Sequence, residues 1–180
     1  TKTDAPKGEI LIGCLQDITG NTSALGKSVQ AGAQAAVDEI NANGGIGGQT
    51  LVMKTYDTKG DVTEAVNAYI TAVTVDKVAL IVGPPVANIA NAIKETSEGY
   101  DVPVVGLAMD PSCQLKADGT PYAHMFCLQP SALTQGQIMA SFALKNGLKP
   151  DGVLYNQENA YSVSPLDPFL NTLSEGGITV

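Results

Sequence analysis

Apolar residues along this chain come in short uninterrupted runs separated by amphipathic stretches. That is the pattern of strands buried on both faces alternating with helices. The clearest run is Val78-Ala79-Leu80-Ile81-Val82-Gly83, followed by Pro84-Pro85-Val86-Ala87-Asn88 and a helical pattern from Ile89 to about Gly99. It reads as a middle strand, with Asn88 expected to cap the helix that follows. Glu9 to Leu15 reads as the first strand and Gln16 to Gly26 as a polar loop. In Lys27 to Asn43, Val29, Ala33, Ala36, Val37 and Ile40 recur at helical spacing, and Ala31, Gly32 and Ala35 are expected to let the helix pack close to the sheet. Gly44-Gly45 ends it, and Gln49 to Tyr56 follows as the second strand. Asp61 and Glu64 stand at capping-box spacing before a helix whose apolar face is Val62, Ala65, Val66, Tyr69 and Val73. Asp101 to Leu107 and Ala123 to Leu128 complete five strands. The fold class expected is α/β, a doubly wound parallel sheet.

At Gln129-Pro130-Ser131 the pattern restarts, with Ser131 placed to cap a helix reaching Gly147. Gly152 to Tyr155 reads as a short strand, Leu166 to Leu173 as a helix, and Gly177 to Val180 as the start of another strand. The expected division is residues 1–8 as a processed or disordered tail, 9–129 as lobe one, and 130–180 as a crossover with the first elements of an incomplete second lobe. If 180 residues are the whole chain, strand edges and an apolar helix face in 131–180 predict a homodimer that satisfies them.

A net charge of −8 and ten scattered basic residues argue against nucleic acid or an anionic membrane as partner. No apolar run approaches the ~20 residues of a membrane-spanning helix. Of three cysteines, Cys14 lies in an apolar strand as a buried thiol, while Cys113 and Cys127 flank a loop and could pair in an oxidising compartment.

Gly20 to Ser28 imitates a phosphate loop, but its gap is five residues where four are needed and Asn21 stands where glycine should, so a helix-entry loop is the better reading and a nucleotide site the alternative. Gly44 to Gly48 follows a helix, which excludes a dinucleotide fingerprint. Cys113, His124 and Cys127 lack paired metal-ligand spacing, and no histidine is placed to activate a serine. The expectation is therefore no enzyme, no metal and no cofactor. What remains is a row of loops at the carboxyl ends of strands: Gln16 to Gly26, Pro84 to Asn88 and Ala108 to Ser112. Leu25, Pro85, Val86 and Met109 supply an apolar lining there for a small molecule.

Four stretches then carry a resemblance: Gly26 to Ile46 with Glu39-Ile40-Asn41-Ala42-Asn43-Gly44-Gly45-Ile46, Asp76 to Pro84, Val102 to Val105, and Phe126 to Gly136 with Gln129-Pro130-Ser131. Asn159-Ala160-Tyr161-Ser162-Val163-Ser164 looks like a fifth motif with two glycines changed to serine. The chain resembles type I periplasmic substrate-binding proteins of ABC importers, in the branched-chain amino-acid (Leu/Ile/Val) family. That resemblance implies lobe one plus the start of lobe two, a membrane permease as partner, and a periplasmic or extracellular location, with or without a lipid anchor. A receptor sensor domain shares the fold. Carried over by position, ligand contacts fall at Leu25, Val86, Ala87, Asn88, Ala108, Met109 and Asp110, with Tyr161 from lobe two. Ala87 replaces a serine and Asp110 a threonine that hold the ligand carboxylate, and Leu25 replaces an aromatic. Asp110 would repel a carboxylate, so the expected ligand offers it an amine, amide or hydroxyl. The disulfide of some relatives has neither partner, with Gly60 and Val86 in those places.

Overall fold

A computed structural model describes residues 8–108 and 110–180. The tail expected over 1–8 therefore lies outside the described residues except for Gly8, as does Met109. Five parallel strands stand in the order β2-β1-β3-β4-β5. They are β1 (Glu9–Gln16), β2 (Thr50–Asp57), β3 (Leu80–Val82), β4 (Val104–Gly106) and β5 (Met125–Cys127). Because β1 pairs with β2 on one side and β3 on the other, the winding reverses at β1, and β3 is the central strand. Three of these strands are shorter than their apolar runs. Pro103 precedes β4, yet its carbonyl still accepts from the Ile81 N–H at 2.9 Å.

One face of the sheet is covered by α2 (Val62–Ile70) and α3 (Ala87–Ser97). Ile81, Val104 and Met125 pack there with Ala65, Tyr69, Ala72, Ile89 and Ile93 in a continuous buried cluster. Val62 is 48% exposed, a correction to the expected apolar face, because it stands at the first helical position beyond the sheet's cover. Asp61 caps α2 as expected, its carboxylate accepting from the N–H groups of Thr63 and Glu64 at 2.8 and 2.9 Å. Val73 is buried on a π-helical turn, Thr71–Val75.

On the other face α1 (Ser23–Ala42) packs mainly over β1 and β2 among the described residues. Asn41 fixes that helix to the edge strand, its Nδ2 donating to the Leu51 carbonyl and its Oδ1 accepting the Leu51 N–H, both at 2.8 Å. Ala31, Gly32 and Ala35 are exposed, a correction to their expected close packing: the helix is buried at Val37 and at Gly26, the latter against the backbone of Asp17 just beyond β1. Val82, Val105, Phe126 and Leu128 consequently lack a full covering layer, Phe126 at 51% and Leu128 at 72% exposure.

Ser131 caps α4 (Ala132–Lys145), accepting from the Thr134 N–H at 3.2 Å, and α4 packs on α6 (Leu166–Glu175) through Ala140, Ala143 and Leu173. Gly136 allows this chain crossing, since a Cβ there would stand 2.3 Å from the Pro165 carbonyl oxygen. Between them lies α5 (Ala160–Val163). Residues 152–155 and 177–180 form no strand, a correction with a simple cause: a strand is defined by ladder bonds to a neighbour, and no neighbouring strand adjoins them among the described residues.

Candidate ligand-binding site

The carboxyl ends of β1, β3 and β4 meet at the point where the winding reverses, the place where open α/β sheets bind ligands. Gln16 ties two of these ends together, its Nε2 donating to the Val82 carbonyl at 3.1 Å. Gly83 leaves β3 with φ +104°, and a Cβ there would lie 2.3 Å from the Leu15 carbonyl oxygen, so only glycine fits this exit.

The loop after β1 is organised by Asp17, which sequence reasoning passed over. Its carboxylate accepts from the Gly20 N–H at 2.5 Å, the Thr22 N–H at 2.8 Å and the Thr22 hydroxyl at 2.6 Å. Asp57, at the end of β2, accepts from the Ile18 N–H at 2.9 Å and the Thr19 hydroxyl at 2.6 Å. Burial pushes both carboxyls up, but for each the hydrogen bonds together outweigh it and leave the group below the ordinary carboxylate range. This turn starts α1 at Ser23, earlier than the expected Lys27. It also counts against the nucleotide alternative: the N–H groups of Gly20 and Thr22 that would cradle a phosphate are given to the Asp17 carboxylate.

The residues expected to touch ligand divide into several groups. Leu25 is 45% exposed on the first turn of α1. Val86 is the half-buried residue before α3 and its N-cap; this corrects the expectation for Asn88, which lies inside α3 and does not cap it. Ala87 and Ala108 are buried, their carbonyls accepting from the Cys113 thiol at 3.5 Å and Gln114 Nε2 at 2.9 Å. Asp110 is 5% exposed and accepts from the Ser112 N–H at 2.8 Å and from the hydroxyls of Ser112 and Ser164. Its carboxylate is thus engaged internally rather than open to a ligand donor. Asn88 and Asp110 are brought together with residues 158–164, which carry the exposed Tyr161. Ser112 and Ser164 were missed; the Asp-x-Ser spacing 110–112 was the available signal for the first, and nothing local marked the second.

A cavity of about 450 Å³ lies beside this end, between α1 (Ser28, Val29, Ala33) and Val82, Pro85 and Leu107. Its lining is almost wholly apolar and belongs to the incompletely covered face of the sheet. Cys14, Cys113 and Cys127 are free thiols; burial first and the Asp110 charge second push Cys113 up to about 12. Among the described residues no group of three His, Cys, Asp or Glu side chains is placed to hold a metal ion, and His124 faces Asp101 at 3.2 Å. No helix of the described residues is long and apolar enough to cross a membrane.

Residues 9–180 match the family of periplasmic binding proteins, and the chain belongs to that family. It is 32% identical over 172 residues to the Leu/Ile/Val-binding protein BraC3 of Rhizobium johnstonii, covering 95% of this chain and 46% of that protein. The crystal structure of a leucine binding protein, LivK, from Thermotoga maritima superposes with a TM-score of 0.83 at 29% identity, over 95% of this chain and 47% of that one. LivJ from Streptococcus pneumoniae, solved in complex with isoleucine, has a TM-score of 0.75 at 26% identity over 91% of this chain and 46% of that one. The chain therefore spans about half the length of the relatives it matches.

Proposed function

We propose that this chain is part of an extracytoplasmic solute-binding protein that captures a small organic molecule, an amino acid or a close analogue, for an ABC importer. The observation that carries the reading is the meeting of three strand ends at the winding reversal, with the Tyr161 segment drawn over two of them. Family membership and the isoleucine bound by LivJ support the ligand class. On this reading residues 9–129 are lobe one, 130–180 open lobe two, the partner is a membrane permease and the location is periplasmic. Leu25 and Val86 are then the apolar contacts from lobe one, and Tyr161, exposed on the 158–164 segment, is the contact from lobe two. If 180 residues are the whole chain, exposed Ile138, Met139, Phe142 and Leu154 support the further proposal that copies of it pair through residues 131–180.

A thermal-shift panel tests the ligand reading. A ligand that binds only the folded chain adds about 2.7 kcal/mol at a hundredfold excess over Kd, a rise of about 5–10 °C in Tm for a domain of this size. Stabilisation by leucine, isoleucine, valine or an amine or amide analogue supports the reading. Stabilisation by ATP or GTP with magnesium, and by none of these, overturns it.

A further inference from the structure

The polar groups at the rim of β3 and β4 are engaged by a segment distant in sequence. Asn88 uses both ends of its amide: Nδ2 donates to the Glu158 carbonyl at 3.1 Å, and Oδ1 accepts the Ala160 N–H at 3.2 Å. Asp110, buried at the end of β4, takes the Ser164 hydroxyl on one carboxylate oxygen and the Ser112 hydroxyl and N–H on the other. A nearly buried carboxylate must be satisfied by donors, and these three supply them.

The segment so held has its own internal order. The Glu158 N–H donates to Asn156 Oδ1 and the Asn156 N–H to the Ser162 hydroxyl, both at 2.9 Å, while Asn159 caps α5 by accepting the Ser162 N–H at 3.2 Å. Tyr161, between the two anchors, donates its hydroxyl to Gln135 Oε1 on α4 at 3.1 Å. The segment is thus a preformed piece fastened at one end by Asn88, at the other by Asp110, and from behind by α4.

We propose that Asn88 and Asp110 are positioning residues: they fasten residues 158–164 as a strap across the carboxyl ends of β3 and β4, and do not themselves hold the ligand. The inference deepens the solute-binding reading and rests on it for its use, since the strap fixes where Tyr161 stands. The geometry gives the strap two independent fastenings, so loss of either loosens it without dismantling the sheet.

Residue-resolved hydrogen exchange on the unliganded 180-residue chain tests this. Amides of Ala160, Ser162, Val163 and Ser164 are protected in the wild type. Ser164→Ala and Asn88→Ala each lower that protection about tenfold, the worth of a hydrogen bond to a charged or buried group. Ser164→Thr, which keeps the hydroxyl, retains protection, and the amides of Ile81 and Val104 in the sheet are unchanged in all three. Unprotected strap amides in the wild type, equal loss in Ser164→Thr and Ser164→Ala, or loss spread equally over the sheet would each overturn the proposal. Because no ligand is added, failure of the ligand panel and failure of the strap are read separately.

Discussion

Replacing Asp17 by Asn alters one of the two oxygens that organise the first loop while keeping the side chain's shape. In the wild type, Oδ1 takes the Gly20 N–H, and Oδ2 takes both the N–H and the hydroxyl of Thr22. An amide offers one acceptor. Whichever way it is oriented, at least one backbone N–H then faces an NH₂ group in a site where Asp17 is only 2% exposed. Losing one charge-assisted hydrogen bond and leaving a partly buried donor unmatched costs about 2–3 kcal/mol. Relaxation is restricted, because Gly26 brings α1 so near that a Cβ would stand 2.0 Å from the Asp17 carbonyl oxygen. At about 2–4 °C per kcal/mol the variant should melt roughly 4–12 °C lower at pH 7. The pH dependence separates this cause from a general packing defect. Burial raises the carboxyl, but the Thr22 and Gly20 bonds outweigh it, so the folded pKa lies below the unfolded value near 3.9. Stability from a depressed carboxyl is fully present above the unfolded value and lost as pH falls through the folded one. The gap between wild type and variant, followed by circular dichroism, should therefore be constant from about pH 5 to 8 and narrow below about pH 4. An undiminished gap at pH 3, or none at pH 7, would refute the reasoning.

Gly83→Ala should cost at least about 2 kcal/mol in urea unfolding, because φ is +104° and the added methyl meets the Leu15 carbonyl. Tyr69→Phe should be neutral or stabilising by up to about 1 kcal/mol in the same assay. The Tyr69 hydroxyl is buried with no hydrogen-bond partner among the described residues, and the ring keeps its edge-on contact with Tyr100. A loss above about 1 kcal/mol would mean that the hydroxyl has a partner after all.

The sheet was legible because buried parallel strands are written as apolar runs with glycine and proline at their ends, as at Val78 to Pro84. Helix caps at Asp61 and Ser131 were legible for a similar reason, since the signal is local. The run at Gly152 to Tyr155 failed as a strand because an apolar run states a capacity, and a ladder needs a neighbour. Asn88 misled for a related reason. Asparagine near a helix start commonly caps, but here its amide bonds residues 158–160, seventy positions away, and no local pattern records that. The role of Asp110 was readable only as a charge out of keeping with a carboxylate ligand. Its bond to Ser164 supplies the reason that the charge is tolerated.

The central claim is that a small organic solute binds where β1, β3 and β4 end. Backbone amide chemical shifts, followed while leucine, isoleucine, valine and their amine and amide analogues are titrated into the chain, test it most directly. The account predicts saturable changes for at least one of these ligands, concentrated in residues 17–26, 83–88, 107–112 and 158–164. Changes produced by none of them, or confined to the 44–48 turn and the outer face of α1, would contradict it.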